Sequence, residues 1–323
     1  MAEPLLSVRN LSVDLKTGSG LLRAVRSISF DIAPGETLCL VGESGCGKSM
    51  TSLALMDLLP RGARRTADCL SFDGQDLATL SPRAMNALRG DRMAMIFQEP
   101  MTALNPAYTI GNQLIEAWRQ HTGGGAAEAR ERAIALLAKV GIANAGERLS
   151  QYPHQLSGGL RQRVMIAMAL MCSPKLLIAD EPTTALDVTI QAQILRLLRD
   201  LQAELGIALL LITHDLGVVA RMAHRVAVMY AGEIVEEAPA EALFAAPRHP
   251  YTAGLMACIP VPGRTEPGGR LGSIPGVVPP LVGALTGCMF RSRCPSAAPA
   301  CAGTPPVHHA GEHRWRCIIG GAA

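Results

Sequence analysis

Residues 37–49 read TLCLVGESGCGKS, and this stretch decides the fold of the chain. Its apolar first part, Thr37–Val41, predicts a buried strand, and a predicted helix begins at Lys48 and reaches residue 59. The residues from Gly42 to Ser49 fit the pattern G-x-x-x-x-G-K-[ST], and they stand between strand and helix as that pattern requires. The stretch therefore predicts a phosphate-binding loop. The alternative is a glycine-rich turn that binds nothing.

The predicted loop supplies the groups that the phosphate chain of a nucleotide needs. Its glycines allow successive backbone N–H groups to face phosphate oxygens at the start of a helix. Lys48 adds a point charge for the β- and γ-phosphates, and the hydroxyl of Ser49 suits Mg²⁺. The residues expected to bind ATP are Gly42, Glu43, Ser44, Gly45, Cys46, Gly47, Lys48 and Ser49.

A second apolar strand, predicted over residues 175–180, ends in two neighbouring carboxylates. Asp180 stands at the carboxyl end of the strand, where the acids of phosphate-loop ATPases hold Mg²⁺. Glu181 is suited to orient and polarise an attacking water as a general base. Alone, such a pair often marks the start of a solvated loop. It gains meaning here because a phosphate loop precedes it.

Strands and helices alternate along most of the chain, which predicts an α/β fold with a mostly parallel sheet. Further strands are predicted over residues 5–15, 24–32, 93–98 and 208–213, and further helices over residues 126–140, 157–171 and 190–205. After about Ala246, proline, glycine and cysteine become frequent. The predicted domains are therefore residues 1–245, with a helical subdomain at about 99–165, and a small irregular extension at 246–323.

The composition narrows the classes of function. Apolar residues make up 49% of the chain and charged residues 18%, which excludes a mainly disordered protein. The net charge of +3 gives no argument for a nucleic-acid partner. The longest uncharged stretch, residues 271–290, contains prolines and glycines that oppose a membrane-spanning helix, and the first residues lack the pattern of a signal peptide. Any association with a membrane is therefore expected to run through partner proteins.

Residues 156–163, LSGGLRQR, supply a further candidate anion site. Ser157 can cap the following helix, while Gly158 and Gly159 leave bare N–H groups at its start. Taken alone, an ordinary capped helix is the simpler interpretation. The meaning of this stretch therefore depends on the features that accompany it.

Along the chain stand, in order, the phosphate loop, Gln98, the stretch 156–163, Asp180 with Glu181, Ala185-Leu186-Asp187, and His214. With this order and spacing, the chain resembles the ATPases of ABC transporters over roughly residues 5–245. Residues 97–106, FQEPMTALNP, and the cysteine-bearing extension resemble the subfamily that serves dipeptide, oligopeptide and nickel importers. The resemblance implies a phosphate-loop, RecA-like cassette with a helical subdomain.

The resemblance also implies a head-to-tail dimer, in which each ATP lies between the phosphate loop of one subunit and the signature of the other. The signature residues implied to face the opposite nucleotide are Ser157, Gly158, Gly159 and Gln162, with Asp187 at the dimer interface. The implied catalytic residues are Glu181, His214 and Gln98, and the implied Mg²⁺ ligands are Ser49, Gln98 and Asp180. Leu15 takes the place of the aromatic residue that usually stacks on adenine, so only apolar contact is expected there.

Four cysteines of the extension, Cys288, Cys294, Cys301 and Cys317, are spaced C-x₅-C-x₆-C-x₁₅-C. This spacing matches neither a paired zinc motif nor a ferredoxin motif. In the subfamily that the chain resembles, the matching cysteines are associated with a [4Fe-4S] cluster, so the resemblance implies that cofactor. Zinc and free thiols are the alternatives. Neighbouring arginines such as Arg293 suit an anionic four-thiolate cluster.

The implied function is that of a translocase-class ATPase, which couples ATP binding and hydrolysis to the import of dipeptides, oligopeptides or a related small solute. Nickel complexes and glutathione are alternative cargoes, because relatives carry all of these. A non-transport ABC ATPase is the competing class. Such proteins usually carry a long coiled coil between the motifs or two cassettes per chain, and this sequence shows neither.

The implied cofactors are ATP, Mg²⁺ and the [4Fe-4S] cluster. The implied partners are a second, homologous ATPase subunit, two transmembrane permease subunits and, indirectly, an extracytoplasmic solute-binding protein. No nucleic-acid partner is expected. The resemblance places the chain at the cytoplasmic face of the bacterial inner membrane, as a peripheral subunit.

Overall fold

The computed structural model describes residues 3–99, 103–184, 186–259, 272–283 and 285–318. Pro100, Met101 and Thr102 of the stretch FQEPMTALNP, and Ala185 before Asp187, lie outside the described residues. The chain forms two compact units. The helical unit comprises Met1–Leu5, Ala33–Glu36 and Thr79–Leu211, and the phosphate-loop unit comprises Leu6–Ile32, Thr37–Ala78 and Ile212–Ala323.

Strands and helices alternate along the described residues. The strands are β1 (Leu6–Thr17), β2 (Gly20–Ile32), β3 (Thr37–Val41), β4 (Ala63–Thr66), β5 (Cys69–Phe72), β6 (Gln75–Asp76), β7 (Met93–Ile96), β8 (Leu176–Asp180), β9 (Ala208–Thr213), β10 (Arg225–Tyr230), β11 (Glu233–Pro239), β12 (Val307–Ala310) and β13 (His313–Arg316). The α-helices are α1 (Lys48–Leu55), α2 (Pro82–Leu88), α3 (Ile110–Thr122), α4 (Ala126–Lys139), α5 (Ala145–Arg148), α6 (Gly158–Ala169), α7 (Val188–Leu205), α8 (Leu216–Met222), α9 (Ala240–Ala245) and α10 (Pro250–Ala257).

The phosphate-loop unit contains two sets of paired strands. One runs in the order β2-β1-β5-β6, with β4 also paired to β1, and all its pairings are antiparallel. The other runs β12-β13-β11-β10-β3, and within it only β3 and β10 are parallel. All five residues of β3 are buried, as is usual for a parallel strand covered on both faces. The strand that leads into the phosphate loop is therefore held in apolar core.

In the helical unit, β7 and β8 pair in parallel, from Met93 opposite Leu176 to Ile96 opposite Ala179. Helix α4 packs against α3 and α6. Its predicted apolar face is confirmed, because Ala129, Ala133, Leu136, Leu137 and Val140 are all buried. Within the described part of the chain, no helix combines the length and apolar character needed to cross a membrane.

Two sequence predictions about the architecture are wrong. The sheet is not mostly parallel, since an entire set of strands and the β10–β11–β13 pairings are antiparallel. The extension is not wholly irregular either, because β12 and β13 form a hairpin that continues the strand set through β11. These strands have only four residues each, too few for periodicity to reveal them.

Helix boundaries also differ from the predictions, for local reasons. Helix α1 ends at Leu55 rather than at residue 59, because Asp57 adopts a left-handed conformation with φ of 52°. The Leu58 N–H then bonds to the Leu53 carbonyl and closes the end of the helix. Helix α7 begins at Val188, two residues earlier than predicted, because the Asp187 carboxylate caps it by accepting from the Ile190 N–H at 2.9 Å.

Candidate nucleotide-binding site

The phosphate loop follows β3 directly and leads into α1 at Lys48, as predicted. Gly42 and Gly47 have φ of 154° and 107°. A Cβ at Gly42 would overlap the Met229 carbonyl oxygen, and one at Gly47 would overlap the Ala24 carbonyl oxygen. Glycine is therefore required at both positions on grounds of conformation and of space. Ser44 and Gly45 are exposed at the tip of the loop.

Lys48 lies beneath this loop and is only 4% exposed. Its Nζ donates to the Gly42 carbonyl at 2.8 Å and to the Glu43 carbonyl at 3.0 Å. Cys46 is fully buried nearby, and burial raises the pKa of its thiol although the Lys48 charge opposes that shift. The lysine thus holds the loop closed around its own ammonium group, and the thiol stays neutral.

Glu43, the second residue of the loop, is held by residues far along the chain. Its backbone N–H donates to the Tyr251 hydroxyl at 2.9 Å. Its carboxylate receives two hydrogen bonds from the Arg293 guanidinium, at 2.6 and 2.9 Å. Sequence reasoning missed both partners, because they lie 208 and 250 residues away and belong to no nucleotide-binding motif.

The helical unit brings Gln98 and Glu181 together. The Gln98 Nε2 donates to the Glu181 Oε2 at 3.1 Å, and the Thr184 hydroxyl donates to the same oxygen at 2.9 Å. Glu181 has φ of 44°, a conformation that non-glycine residues adopt rarely and mostly at functional sites. Asp180, at the end of β8, is 3% exposed. Of the two adjacent acids predicted at this site, Asp180 is therefore buried, and the Glu181 carboxylate is oriented by two hydrogen bonds.

The signature stretch is an exposed helix start in the same unit. Ser157 caps α6, its hydroxyl accepting from the Leu160 N–H at 3.4 Å. Gly158 is exposed as well, and a Cβ at Gly159 would lie 2.9 Å from Ile190 Cγ2. Gln162, by contrast, is 1% exposed, and its Nε2 has no hydrogen-bond partner among the described residues. Gln162 is therefore buried, whereas Ser157 and Gly158 of the signature are exposed. Asp187 is exposed at the start of α7.

His214 and Leu15 both belong to the phosphate-loop unit. His214 is exposed immediately after β9, and the following Asp215 caps α8 through the Gly217 and Val218 N–H groups. Leu15 is half-buried on β1, opposite Leu22 on β2 and Ala63 on β4. The apolar contact between Leu15 and adenine stays a prediction.

The cysteines of the extension lie near one another. The Cys288 N–H donates to the Cys301 carbonyl at 2.9 Å. Burial raises the pKa of Cys288, and the charges of Cys301, Cys294 and Cys317 raise it further. The described residues give the predicted metal site no support. No three His, Cys, Asp or Glu side chains of the described residues are grouped so that they could hold a metal ion.

Comparison with known proteins identifies the class. The sequence model described as "ABC transporter" matches residues 25–184, and the one described as "Oligopeptide/dipeptide transporter, C-terminal region" matches residues 235–301. A solved structure of an ATP-binding cassette, the dimeric post-hydrolysis state of MJ0796 bound to ADP and Pi, superposes with a TM-score of 0.66. It is 27% identical and covers 73% of this chain and 98% of that chain. The cassette fold that the resemblance implies is thereby confirmed.

Relatives in sequence make the assignment firmer. The dipeptide transport ATP-binding protein DppD of Escherichia coli (strain K12) is 52% identical over 303 residues, which are 94% of this chain and 92% of that protein. The probable peptide ABC transporter ATP-binding protein y4tR of Sinorhizobium fredii is 52% identical over 307 residues, 95% and 91% of the two chains. The chain belongs to the family of ABC transporter ATP-binding proteins, and it is an ATPase of that family.

Proposed function

We propose that this chain is the ATPase subunit of an importer for dipeptides, oligopeptides or a closely related small solute. The observation that carries the proposal is the 52% identity to a dipeptide transport protein over 94% of the chain. The match at residues 235–301 to the C-terminal region of oligopeptide and dipeptide transporters supports the same cargo class.

For the nucleotide, we propose the roles that the motifs predict. The backbone of residues 42–47 would wrap the phosphates, Lys48 would neutralise the β- and γ-phosphates, and Ser49, Gln98 and Asp180 would bind Mg²⁺. The glycine-dependent backbone at Gly42 and Gly47 supports this, since such turns let amide groups approach an anion closely. ATP would displace the loop carbonyls that now accept from Lys48.

Glu181 is proposed as the general base. Two donors, from Gln98 and Thr184, fix the direction of its carboxylate. A fixed carboxylate can take a proton from a water at a defined place, which is the requirement of this role. His214 is proposed to steady the water, and Ser157, Gly158 and Gly159 are proposed to serve the nucleotide of a second subunit. The exposure of Ser157 and Gly158 supports that proposal.

The proposed partners are a second, homologous ATPase subunit, two permease subunits and, indirectly, a solute-binding protein. The proposed location is the cytoplasmic face of the inner membrane, reached through the permeases. We also propose that residues 1–245 form the cassette and that residues 246–323 form the extension. The two family matches, which meet different parts of the chain, are consistent with it.

We further propose that Cys288, Cys294, Cys301 and Cys317 bind a [4Fe-4S] cluster. The hydrogen bond from the Cys288 N–H to the Cys301 carbonyl at 2.9 Å brings two of the four residues together and supports the proposal. No three of the four side chains are grouped as metal ligands among the described residues. The cluster would cross-link four points of a segment that has few large apolar residues and would thereby stabilise its fold. Anaerobically purified protein should contain about four irons per chain. Stoichiometric zinc without iron, or four freely alkylated thiols, would contradict the cluster.

Transport by cells that encode this chain and its permeases tests the cargo class. Deleting the gene should abolish uptake of a labelled dipeptide, and restoring the wild-type gene should recover it. The matched control restores the gene with Lys48→Met, which keeps a side chain of similar length but removes the charge. Loss of nickel or glutathione uptake, with dipeptide uptake unchanged, would refute the peptide assignment.

A further inference from the structure

The extension reaches the phosphate loop at Glu43. Tyr251 of α10 contacts the Glu43 backbone N–H, and Arg293 contacts both carboxylate oxygens of the same residue. The Glu43 carbonyl meanwhile accepts from Lys48. A single loop residue is thus fixed at its amide, its carbonyl and its side chain, and two of these three contacts come from the C-terminal part of the chain.

Arg293 is built into place rather than resting on the surface. Its side chain is 3% exposed. A guanidinium has five N–H donors. Here Nε donates to the Pro275 carbonyl, one terminal nitrogen to Glu43 and the Tyr230 hydroxyl, and the other to Glu43 and the Ile274 carbonyl. Every donor has an acceptor, so the orientation of the group is fully determined.

Aromatic rings enclose the same guanidinium. Its carbon lies 5.8 Å from the centroid of Tyr230 and 6.0 Å from that of Phe290. Phe290 in turn packs edge-on against Tyr230 and Tyr251, with centroid distances of 5.2 and 5.3 Å. The hydrogen bonds to Glu43 raise the pKa of Arg293 above its ordinary value, so the cation persists at any physiological pH. The segment between Cys288 and Cys294 therefore presents a fixed positive charge to the loop.

Such a charge has two consequences for a loop that binds phosphate. First, a carboxylate within the loop would repel the phosphates of ATP, and the bidentate pair with Arg293 neutralises it. Second, holding the side chain and amide of Glu43 reduces the conformations that the loop must lose when the nucleotide binds. Both effects act on affinity for ATP, and neither requires Arg293 to touch the nucleotide.

We propose that Arg293, assisted by Tyr251, is a positioning residue for the phosphate loop, through which the C-terminal extension sets the affinity of the chain for ATP. This inference rests on the proposed function only in that the loop must bind ATP. It assigns the extension a part in nucleotide binding, in addition to any part in holding a cluster.

The test measures ATP affinity and the thermal midpoint without nucleotide for the full-length chain and its variants. Arg293→Met should weaken ATP binding by about tenfold, the worth of one charge-assisted contact. Arg293→Lys should restore only part of the affinity, because an ammonium cannot pair with both carboxylate oxygens in the same geometry. Arg291→Met is the matched control. Arg291 is exposed, lies two residues away and donates to the Thr286 carbonyl, so ATP affinity should not change.

The double variant Glu43→Gln/Arg293→Met separates positioning from general stability. It should bind ATP more tightly than Arg293→Met alone, because no unpaired carboxylate then remains beside the phosphates. A lowered thermal midpoint with wild-type ATP affinity in folded Arg293→Met would overturn the proposal, since Arg293 would then be only an anchor of the extension.

If Arg293→Met does not fold, Tyr251→Phe decides the question, because it keeps the ring and removes only the hydroxyl. It should weaken ATP binding about threefold or more, and unchanged affinity would overturn the proposal. A wild-type chain that binds no ATP would instead contradict the proposed function, and the inference with it.

Discussion

His249 makes the stability of the extension depend on pH. The residue is 2% exposed, its Nδ1 accepts the Tyr251 N–H at 3.1 Å at the start of α10, and its ring packs against Phe290. The Glu236 carboxylate accepts the His249 backbone N–H at 2.8 Å. Burial lowers the pKa of His249 from 6.5 to about 4. The imidazole is therefore neutral in the folded protein.

The sign and size of the effect follow from this difference. As the pH falls below 6.5, the unfolded chain takes up a proton that folded His249 refuses until the pH reaches about 4. Above pH 6.5, neutral His249 costs the folded protein no stability. As the pH falls from 6.5 to about 4, the free energy of unfolding decreases by a total of ~3 kcal/mol. Between about pH 7.5 and 5.5 the expected loss is about 1.3 kcal/mol.

Urea unfolding at these two pH values measures the loss. His249→Asn keeps a side-chain acceptor at the helix start and removes the titrating group. When the pH is lowered from about 7.5 to 5.5, the free energy of unfolding should decrease in both proteins. The decrease should be about 1.3 kcal/mol smaller in the variant than in the wild type. His309→Asn, the same substitution at an exposed position on β12, is the control and should follow the wild type. Equal losses in wild type and His249→Asn would refute the reasoning.

Three further substitutions test other parts of the molecule. Glu181→Gln should abolish steady-state ATP hydrolysis in the assembled transporter while ATP binding persists, and near-normal turnover would contradict its role as base. Ser157→Arg should suppress hydrolysis but leave ATP bound to its own chain, because Ser157 is proposed to serve the opposite nucleotide; loss of ATP from the same chain would contradict the head-to-tail arrangement. Phe290→Ala removes a ring that is 2% exposed, so the free energy of unfolding should fall by about 3–5 kcal/mol. A loss below about 1 kcal/mol would show that the ring is not part of the core of the extension.

The features that the sequence reveals are contiguous in the chain. The phosphate loop is a run of eight residues in which glycines and a lysine stand at the fixed spacing of a phosphate-binding motif. Its place between β3 and α1 was therefore predictable. The buried face of α4 was predictable for the same reason, since helical periodicity is a local signal. The contact between Gln98 and Glu181 spans 83 residues, and only the family resemblance placed both at the site.

What the sequence does not reveal depends on pairings between distant residues. Nothing in the local sequence joins Glu43 to Arg293, and the arginine is more naturally assigned to the neighbouring cysteines. The strands β12 and β13 are missed because HRWR and VHHA carry no apolar alternation of useful length. The buried position of Gln162 is likewise a property of packing, because the motif gives its spacing but not the face of α6 that is covered.

Uptake of a labelled dipeptide into vesicles tests the proposed function most directly. The vesicles would contain this chain with its permeases and second ATPase subunit, and would be loaded with ATP and Mg²⁺ on the side of the ATPases. Wild-type vesicles should accumulate the dipeptide in the presence of the solute-binding protein, with ATP consumed, and Glu181→Gln vesicles should do neither. ATP hydrolysis that proceeds normally while no peptide of any length accumulates would contradict the assignment.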